Sequence, residues 1–283
     1  MNFYIVDAFT SVPFGGNTAG VVILPDNSIF PDDILMQKIA AELRYSETAF
    51  VIKNTDCDFT TRYFTPEGEV DLCGHATIAL FTVLIEKGAV KKGDMCINRT
   101  KAGNLNVKID DEIWMDMAAP KYIGKIENSK ELYRIMSGKE MEPLNGYFPE
   151  IISTGLPDII LPVSDLQELN SLNPDMHALA ELSRELGVTG VHAFAIEKDK
   201  YTAHVRNFAP LYGIDEESAT GTANGALVYY LHKYGIVEAG NKSIFIQGEA
   251  MGRASEVSAS ISEECTVKVG GTGKIVASGK LHI

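Results

Sequence analysis

The chain has 283 residues, 45% of them apolar, and a formal net charge of −13 at pH 7. That length suits about two domains with a sizeable core. The acidic balance excludes nucleic acid and anionic membranes, which both ask for a basic face, but not a small anionic substrate. The first residues, MNFYIVDAFTSVPFGG, lack a basic leader segment and carry Asp7 inside their apolar stretch, so they read as a strand and not as a signal peptide. No apolar run approaches the roughly 18 residues of a membrane span. The four cysteines (Cys57, Cys73, Cys96, Cys265) are scattered, without C-x-x-C spacing. They point to a reduced, cytoplasmic protein with no zinc cluster.

In chain order, residues 3–7 and 20–24 read as strands, with a Gly-Gly-Asn turn at 15–17. Pro31-Asp32-Asp33 opens a helix over 31–43, where Ile34, Leu35, Ile39 and Leu43 recur at helical spacing. Strands follow at 48–53 and 59–64. An apolar helix over 75–87 ends at Gly88. Alternating segments at 95–99, 104–109 and 112–117 complete the first half, the last carrying Trp114, Met115 and Met117 among polar neighbours and reading as a strand that faces a core. Residues 120–150 are the least patterned, with Pro120, Pro143 and Pro149, and read as the connection.

The two halves repeat. Arg62-x-Phe64-x-Pro66 matches Arg206-x-Phe208-x-Pro210 at an offset of 144, as does Ala49-Phe50-Val51-Ile52 against Ala193-Phe194-Ala195-Ile196. After a three-residue expansion the offset is 147: Glu69 falls on Glu216, Gly74 on Gly221, and ALFTVLIEKG (79–88) on ALVYYLHKYG (226–235). The expected fold is α+β, with two similar domains that each wrap strands around a helix. The expected domains are 1–120, joined by a returning C-terminal strand at 272–283, and 121–271.

Each copy ends a polar loop on small residues and then starts an apolar helix: LCGHATIAL and ATGTANGAL. A helix N-terminus presents unpaired N–H groups and partial positive charge, and a glycine there admits a ligand close to the backbone. Two such ends can cradle a carboxylate; equally, Thr220 or Thr222 can simply cap its helix. What differs between the copies is more telling. His75 falls on Thr222, Cys73 on Thr220, Val70 on Glu217 and Glu47 on Val191. Of the consecutive Asp215, Glu216 and Glu217, Glu216 has a sister in Glu69, which suggests a shared structural role for that pair.

The blocks DAFTSVPFGGNTAGVV, RYSETAFV, RYFTPEGEVDLCGHATIA and RNFAPLYGIDEESATGTANGAL resemble the PhzF-like (phenazine biosynthesis) isomerase family, over nearly the whole chain and in order. The resemblance implies a diaminopimelate-epimerase-like fold: two pseudo-symmetric domains, each a strongly curved sheet or barrel around a central helix. It also implies a homodimer and cofactor-free proton transfer on a small carboxylated metabolite bound between the domains, with no metal. Carried over by motif, the catalytic groups are Glu47, His75 and Glu217, and Thr222 falls on the block's serine; with Gly74 and Gly221 at the repeated helix starts it makes up the expected substrate-binding positions. Glu217 and Thr222 depart from the family's Asp and Ser, which leaves the substrate open.

Such groups suit proton abstraction. Glu47 serves as the base if burial raises its pKa, His75 and Glu217 position the substrate or redeliver the proton, and Thr222 with the N–H groups around Gly74 and Gly221 holds a carboxylate. Two alternatives stand beside this reading: a two-base epimerase or racemase of the same fold, and a non-catalytic metabolite-binding protein. A two-thiol mechanism lacks its second thiol, because Cys73 is matched by Thr220; Cys73 then reads as a packing residue. ATGTANGA lacks the lysine of a phosphate-binding loop.

Overall fold

Apolar residues in strand alternation build β1 (Asn2–Ala8) and β2 (Asn17–Ile23), which pair antiparallel around the tight turn between them. Gly16 in that turn has φ +65°, and a Cβ there would stand 2.2 Å from the Ala8 carbonyl oxygen, so only glycine fits. Asp32 caps α1 (Asp33–Leu43) by accepting from the Leu35 N–H. The chain continues through β3 (Thr48–Thr55), β4 (Asp58–Phe64), β5 (Glu69–Val70), α2 (Gly74–Glu86), β6 (Met95–Thr100), β7 (Gly103–Ile109) and β8 (Ile113–Asp116). In β8, Ile113 and Met115 are buried while Trp114 is half-exposed, so the strand faces the core through Ile113 and Met115.

This is a computed structural model, describing residues 1–139, 146–197 and 200–283. Its contacts divide the chain into two units, Met1–Asp116 with Gly270–Ile283, and Met117–Val269. Residues 117–139 therefore belong to the second unit. They carry β9 (Lys121–Lys125) and an amphipathic α3 (Ser129–Ser137), where the sequence suggested only a connection; Pro143 lies outside the described residues. Leu132, Tyr133 and Met136 of α3 are buried, and their spacing of one, three and four residues is the helical signal within this stretch.

The second unit continues with β10 (Glu150–Ser153), β11 (Pro157–Pro162), α4 (Leu166–Ser171), α5 (Met176–Leu186), β12 (Val191–Ala195), β13 (Ala203–Ala209) and β14 (Ile214–Glu217). It then runs through α6 (Gly221–Lys233), β15 (Lys242–Gln247), β16 (Ser255–Ile261) and β17 (Val267–Gly271). The last strand, β18 (Gly273–Lys280), pairs antiparallel with β1.

The units have the same strand order. In the first, β18, β1, β2, β3, β4, β6 and β7 are successive neighbours, with the β2–β3 and β4–β6 pairs parallel. In the second, β9, β10, β11, β12, β13, β15 and β16 follow suit, with β11–β12 and β13–β15 parallel. The register agrees residue by residue: Phe59 faces Asn98 and Ala203 faces Phe245, at the offsets of 144 and 147 read from the sequence. Each unit is built around one buried helix. Nine residues of α2 and nine of α6 are buried, so these helices are apolar on nearly every side. α2 packs on β1, β2, β3, β8 and β18, and α6 on β10, β11, β12 and β16.

Candidate active site

The matched arginines are scaffold. Arg62 grips Glu69 through two bonds of 2.7 and 2.9 Å, and Arg206 grips Glu216 through two of 2.9 and 2.7 Å. Each guanidinium also lies over the phenylalanine two residues on, 5.2 Å from the Phe64 ring centre and 4.9 Å from that of Phe208. Both clamps close the loop ahead of the buried helix. Glu216 is thus committed to Arg206, which separates it from Glu217. Asp215 is exposed.

The two helix starts are tethered alike with different residues. Thr77 donates to the Cys73 carbonyl (2.7 Å) and bonds the Tyr63 hydroxyl (2.7 Å), which accepts from Asn98. At the matching positions Asn224 donates to the Thr220 carbonyl (2.9 Å), and its Oδ1 meets His192 Nε2 (3.2 Å). Asn207 Nδ2 donates to His192 Nδ1 (3.2 Å), so Nε2 carries the ring proton toward Asn224. Burial holds His192 down to about 4, a neutral ring inside a hydrogen-bonded network.

Gly74 and Gly221 are the first residues of α2 and α6. Neither Thr220 nor Thr222 caps α6 with its side chain; Thr220, the cap residue by backbone geometry, instead donates its hydroxyl to Glu217 Oε2 (2.8 Å). Cys73 likewise provides no side-chain cap to α2. The first turn of each helix keeps backbone N–H groups without a side-chain cap, as an anion site requires. Thr222 accepts at its carbonyl from Thr154 (2.8 Å), which fixes the turn after β10 against α6.

In the first unit, three groups converge. Glu47 ends the loop after α1, and its carbonyl accepts from Gly20 N of β2 (3.0 Å). His75, the second residue of α2, is 5% exposed. Its Nε2 is 3.1 Å from Glu47 Oε2 and 3.2 Å from the Ser46 hydroxyl, while Cys73 Sγ is 3.4 Å from its Nδ1. The Glu47–His75 approach is an ion-pair contact.

Burial raises the Glu47 carboxyl, but the His75 charge and hydrogen bonds outweigh it and leave the group below its usual range. The burial-raised base expected from the sequence is therefore corrected: the neighbouring cation wins. For His75, burial opposes the charge, yet Cys73 and Glu47 lift the ring well above its ordinary value. Of these two we hold Glu47 responsible, because the Cys73 thiol is itself pushed up by burial and by Glu47 and is neutral at neutral pH. A helix N-terminus also disfavours an imidazolium, so only the carboxylate accounts for the charge. Cys73 is more than packing, since it touches the ring. Glu47, Cys73 and His75 offer three donor atoms within 4.8 Å of one another, a spacing a metal ion can bridge, where sequence spacing had shown no cluster.

The second unit has no such base at the matching place. Val191, the counterpart of Glu47, is fully buried in an apolar cluster. Gly190, the counterpart of Ser46, packs so tightly that a Cβ would lie 1.9 Å from the Phe208 carbonyl oxygen. Sequence reasoning missed one group here: Asp158 on β11, 1% exposed, with no partner for either carboxyl oxygen among the described residues. Its only signal was an acidic residue at the head of the apolar run IILPV.

Residues 6–279 match the sequence family described as phenazine biosynthesis-like protein (PhzC-PhzF). An uncharacterized isomerase of Clostridium acetobutylicum is 35% identical over 302 residues, covering 99% of this chain and 97% of its own. The crystal structure of a Bacillus anthracis phenazine biosynthesis protein of the PhzF family superposes with TM-score 0.89 at 26% identity, over 100% of this chain and 99% of that one. A probable proline racemase from Agrobacterium radiobacter shares the fold at TM-score 0.63 and 14% identity, covering 100% of this chain and 93% of its own.

Proposed function

Because the chain belongs to the PhzC-PhzF family of isomerases, we propose that it moves a proton between two carbons of a small carboxylate-bearing metabolite, without a cofactor, using groups of both units on one substrate. Glu47, held ionised by His75, takes the proton as the C–H bond breaks. The same carboxyl returns it at another carbon, so the step consumes nothing and releases nothing. The uncapped N–H groups at Gly74 and Gly221, with Thr222, hold the substrate carboxylate and the charge that develops. Glu217, oriented by Thr220, positions the substrate or redelivers the proton.

The observation that carries this reading is the buried Glu47–His75 contact at 3.1 Å. Perturbed, partly buried acid–base pairs concentrate at active sites. The test is Glu47→Gln, assayed by deuterium incorporation from heavy water into candidate carboxylated metabolites. Incorporation should fall by at least ~100-fold, the usual contribution of a general base; undiminished exchange in a folded variant removes Glu47 as the base.

A second reading, inversion at a single carbon, draws on Cys73 Sγ lying 3.4 Å from His75 Nδ1. Deuterium found only at a stereocentre, with the double bonds unmoved, would favour it. Ligand binding without exchange would instead favour a binding protein. We also carry forward a cytoplasmic homodimer, to be checked by sedimentation at several concentrations and by fractionation.

A further inference from the structure

The mechanism above leaves unused a buried carboxyl, Asp158, whose two oxygens have no partner among the described residues. Asp158 lies on β11, whose Ile159 and Leu161 enter the apolar cluster shared with α3, α4 and α5. Strand alternation turns Asp158 and Ile160 to the opposite face, the one α6 covers. On that face Asp158 pairs across β10 with Ile152, which offers no polar group. Thr154, in the turn joining β10 to β11, is fixed to the first turn of α6 through the Thr222 carbonyl, and Gly155 stands beside Thr222.

An isolated buried carboxylate is among the most costly groups a protein can hold, and nearly all buried polar atoms find a partner. Among the described residues, Asp158 has neither a cation nor a donor. Among the described residues, the charged or titratable groups on this side are Glu217 on β14, His192 on β12 and Glu150 on β10, the last bonded by Lys233 of α6 and by Tyr234; the first turn of α6 adds no acidic residue. His192 is neutral and engaged by Asn207 and Asn224. The charge that acts on Asp158 is that of Glu217, a like charge.

In the first unit the same position is Thr18, whose hydroxyl donates to Asp7 across β1 (2.6 Å). There a hydroxyl meets a carboxylate; in the second unit the acid stands in the hydroxyl's place, with Ile152 across from it. The second unit thus puts an acid at this position with no partner among the described residues.

We propose that Asp158 donates a hydrogen bond to the carboxylate of a ligand anchored at the N-terminus of α6. This rests on the carboxylate anchor proposed above and makes Asp158 a residue that selects for a carboxylate. Burial, reinforced by Glu217, pushes the Asp158 carboxyl up to about 8, so it is a neutral acid at neutral pH.

The experiment uses the whole chain with benzoate as a carboxylate probe and benzamide as its neutral counterpart. Infrared spectra first report the protonated carboxyl. A carbonyl band should be present at about pH 6, disappear around pH 8, be missing in Asp158→Asn, and titrate at lower pH in Glu217→Gln. No such band in the wild-type chain overturns the proposal, and that result does not depend on either variant folding.

Amide chemical shifts of Gly221 and Thr222 then report benzoate. Wild-type affinity should weaken by roughly tenfold for each pH unit above about 8, as the neutral acid is lost. In Asp158→Asn, whose amide still donates, affinity should be flat with pH. Identical pH profiles in the two chains overturn this inference and leave the anchor standing. Shifts from benzamide equal to those from benzoate overturn selection for a carboxylate. No benzoate effect on either amide overturns the anchor, and this inference with it.

Discussion

Glu47 and His75 form an ion pair at 3.1 Å, in which each partner's titration is set by the other. The carboxyl is depressed below its ordinary 4.5, so its stabilising contribution is complete above that value and is lost as pH falls through the depressed one. The ring is raised above 6.5, so its contribution is complete below that value and is lost as pH rises through the raised one. Both are complete between 4.5 and 6.5, and the pair persists at neutral pH. In NMR titrations His75 should therefore titrate above 6.5 in the wild-type chain. In Glu47→Gln, burial is left without its main opponent, and the midpoint should fall below 6.5. An unchanged midpoint would show that Glu47 does not charge the ring.

Glu216 and Glu217 are adjacent but should fail differently. Glu216 closes a two-bond clamp on Arg206, with side chains 15% and 11% exposed. Glu216→Ala takes the carboxylate from the guanidinium, which keeps only its bonds to the Leu169 and Leu172 carbonyls, and should cost roughly 3 kcal/mol, read as a lower urea midpoint with an unchanged slope. Glu217 accepts from Thr220 at the candidate site. Glu217→Gln should change stability by about 1 kcal/mol or less while lowering proton exchange. Comparable losses of stability in both variants would merge the two roles.

Much of this was legible in the sequence, because duplication prints its scaffold twice. The Arg-x-Phe-x-Pro blocks, Glu69 with Glu216 and Gly74 with Gly221 all recur at fixed offsets, and the structure gives each pair the same place. The unmatched positions were visible as departures, which singled out Glu47 and His75. Asp158 was not legible, since its meaning lies in what is missing around it, and a missing partner leaves no trace in a linear pattern. The charge state of Glu47 was also out of reach. Burial and the His75 cation act in opposite directions, and only the distance between them decides. Stretch 121–137 hid a strand and a helix because β9 is an exposed strand with little alternation and α3 spans only nine residues.

Gly190 tests why the second unit has no counterpart of the Ser46-Glu47 pair. An added Cβ would come 1.9 Å from a backbone carbonyl oxygen, which cannot yield as a flexible side chain can. Gly190→Ala should destabilise the chain by about 3 kcal/mol, whereas Ser46→Ala in the first unit should cost about 1 kcal/mol or less. Thermal or urea unfolding of the two variants compares them directly. Equal, small effects would mean that the strand pair β12–β13 has room the distances deny.

His192 is a buried neutral ring whose folded value, about 4, lies below its ordinary 6.5. Protons that bind it in the unfolded chain are refused by the folded one. Stability linked to His192 is therefore complete above 6.5 and falls as pH drops toward 4, by roughly 3 kcal/mol in all. Asp158 acts in the opposite sense over an overlapping range, losing stability as pH rises from 3.8 to about 8. A single stability curve would show the two partly cancelled, so the comparison must be between chains. His192→Gln cannot be protonated and keeps an amide able to reach Asn207 and Asn224. Its stability, less that of the wild-type chain, should rise steadily as pH falls from 6.5 to 4. A difference that stays flat over that range would mean the folded chain does not hold the ring neutral, and that Nδ1 donates to the Asn207 amide oxygen instead of accepting from Nδ2.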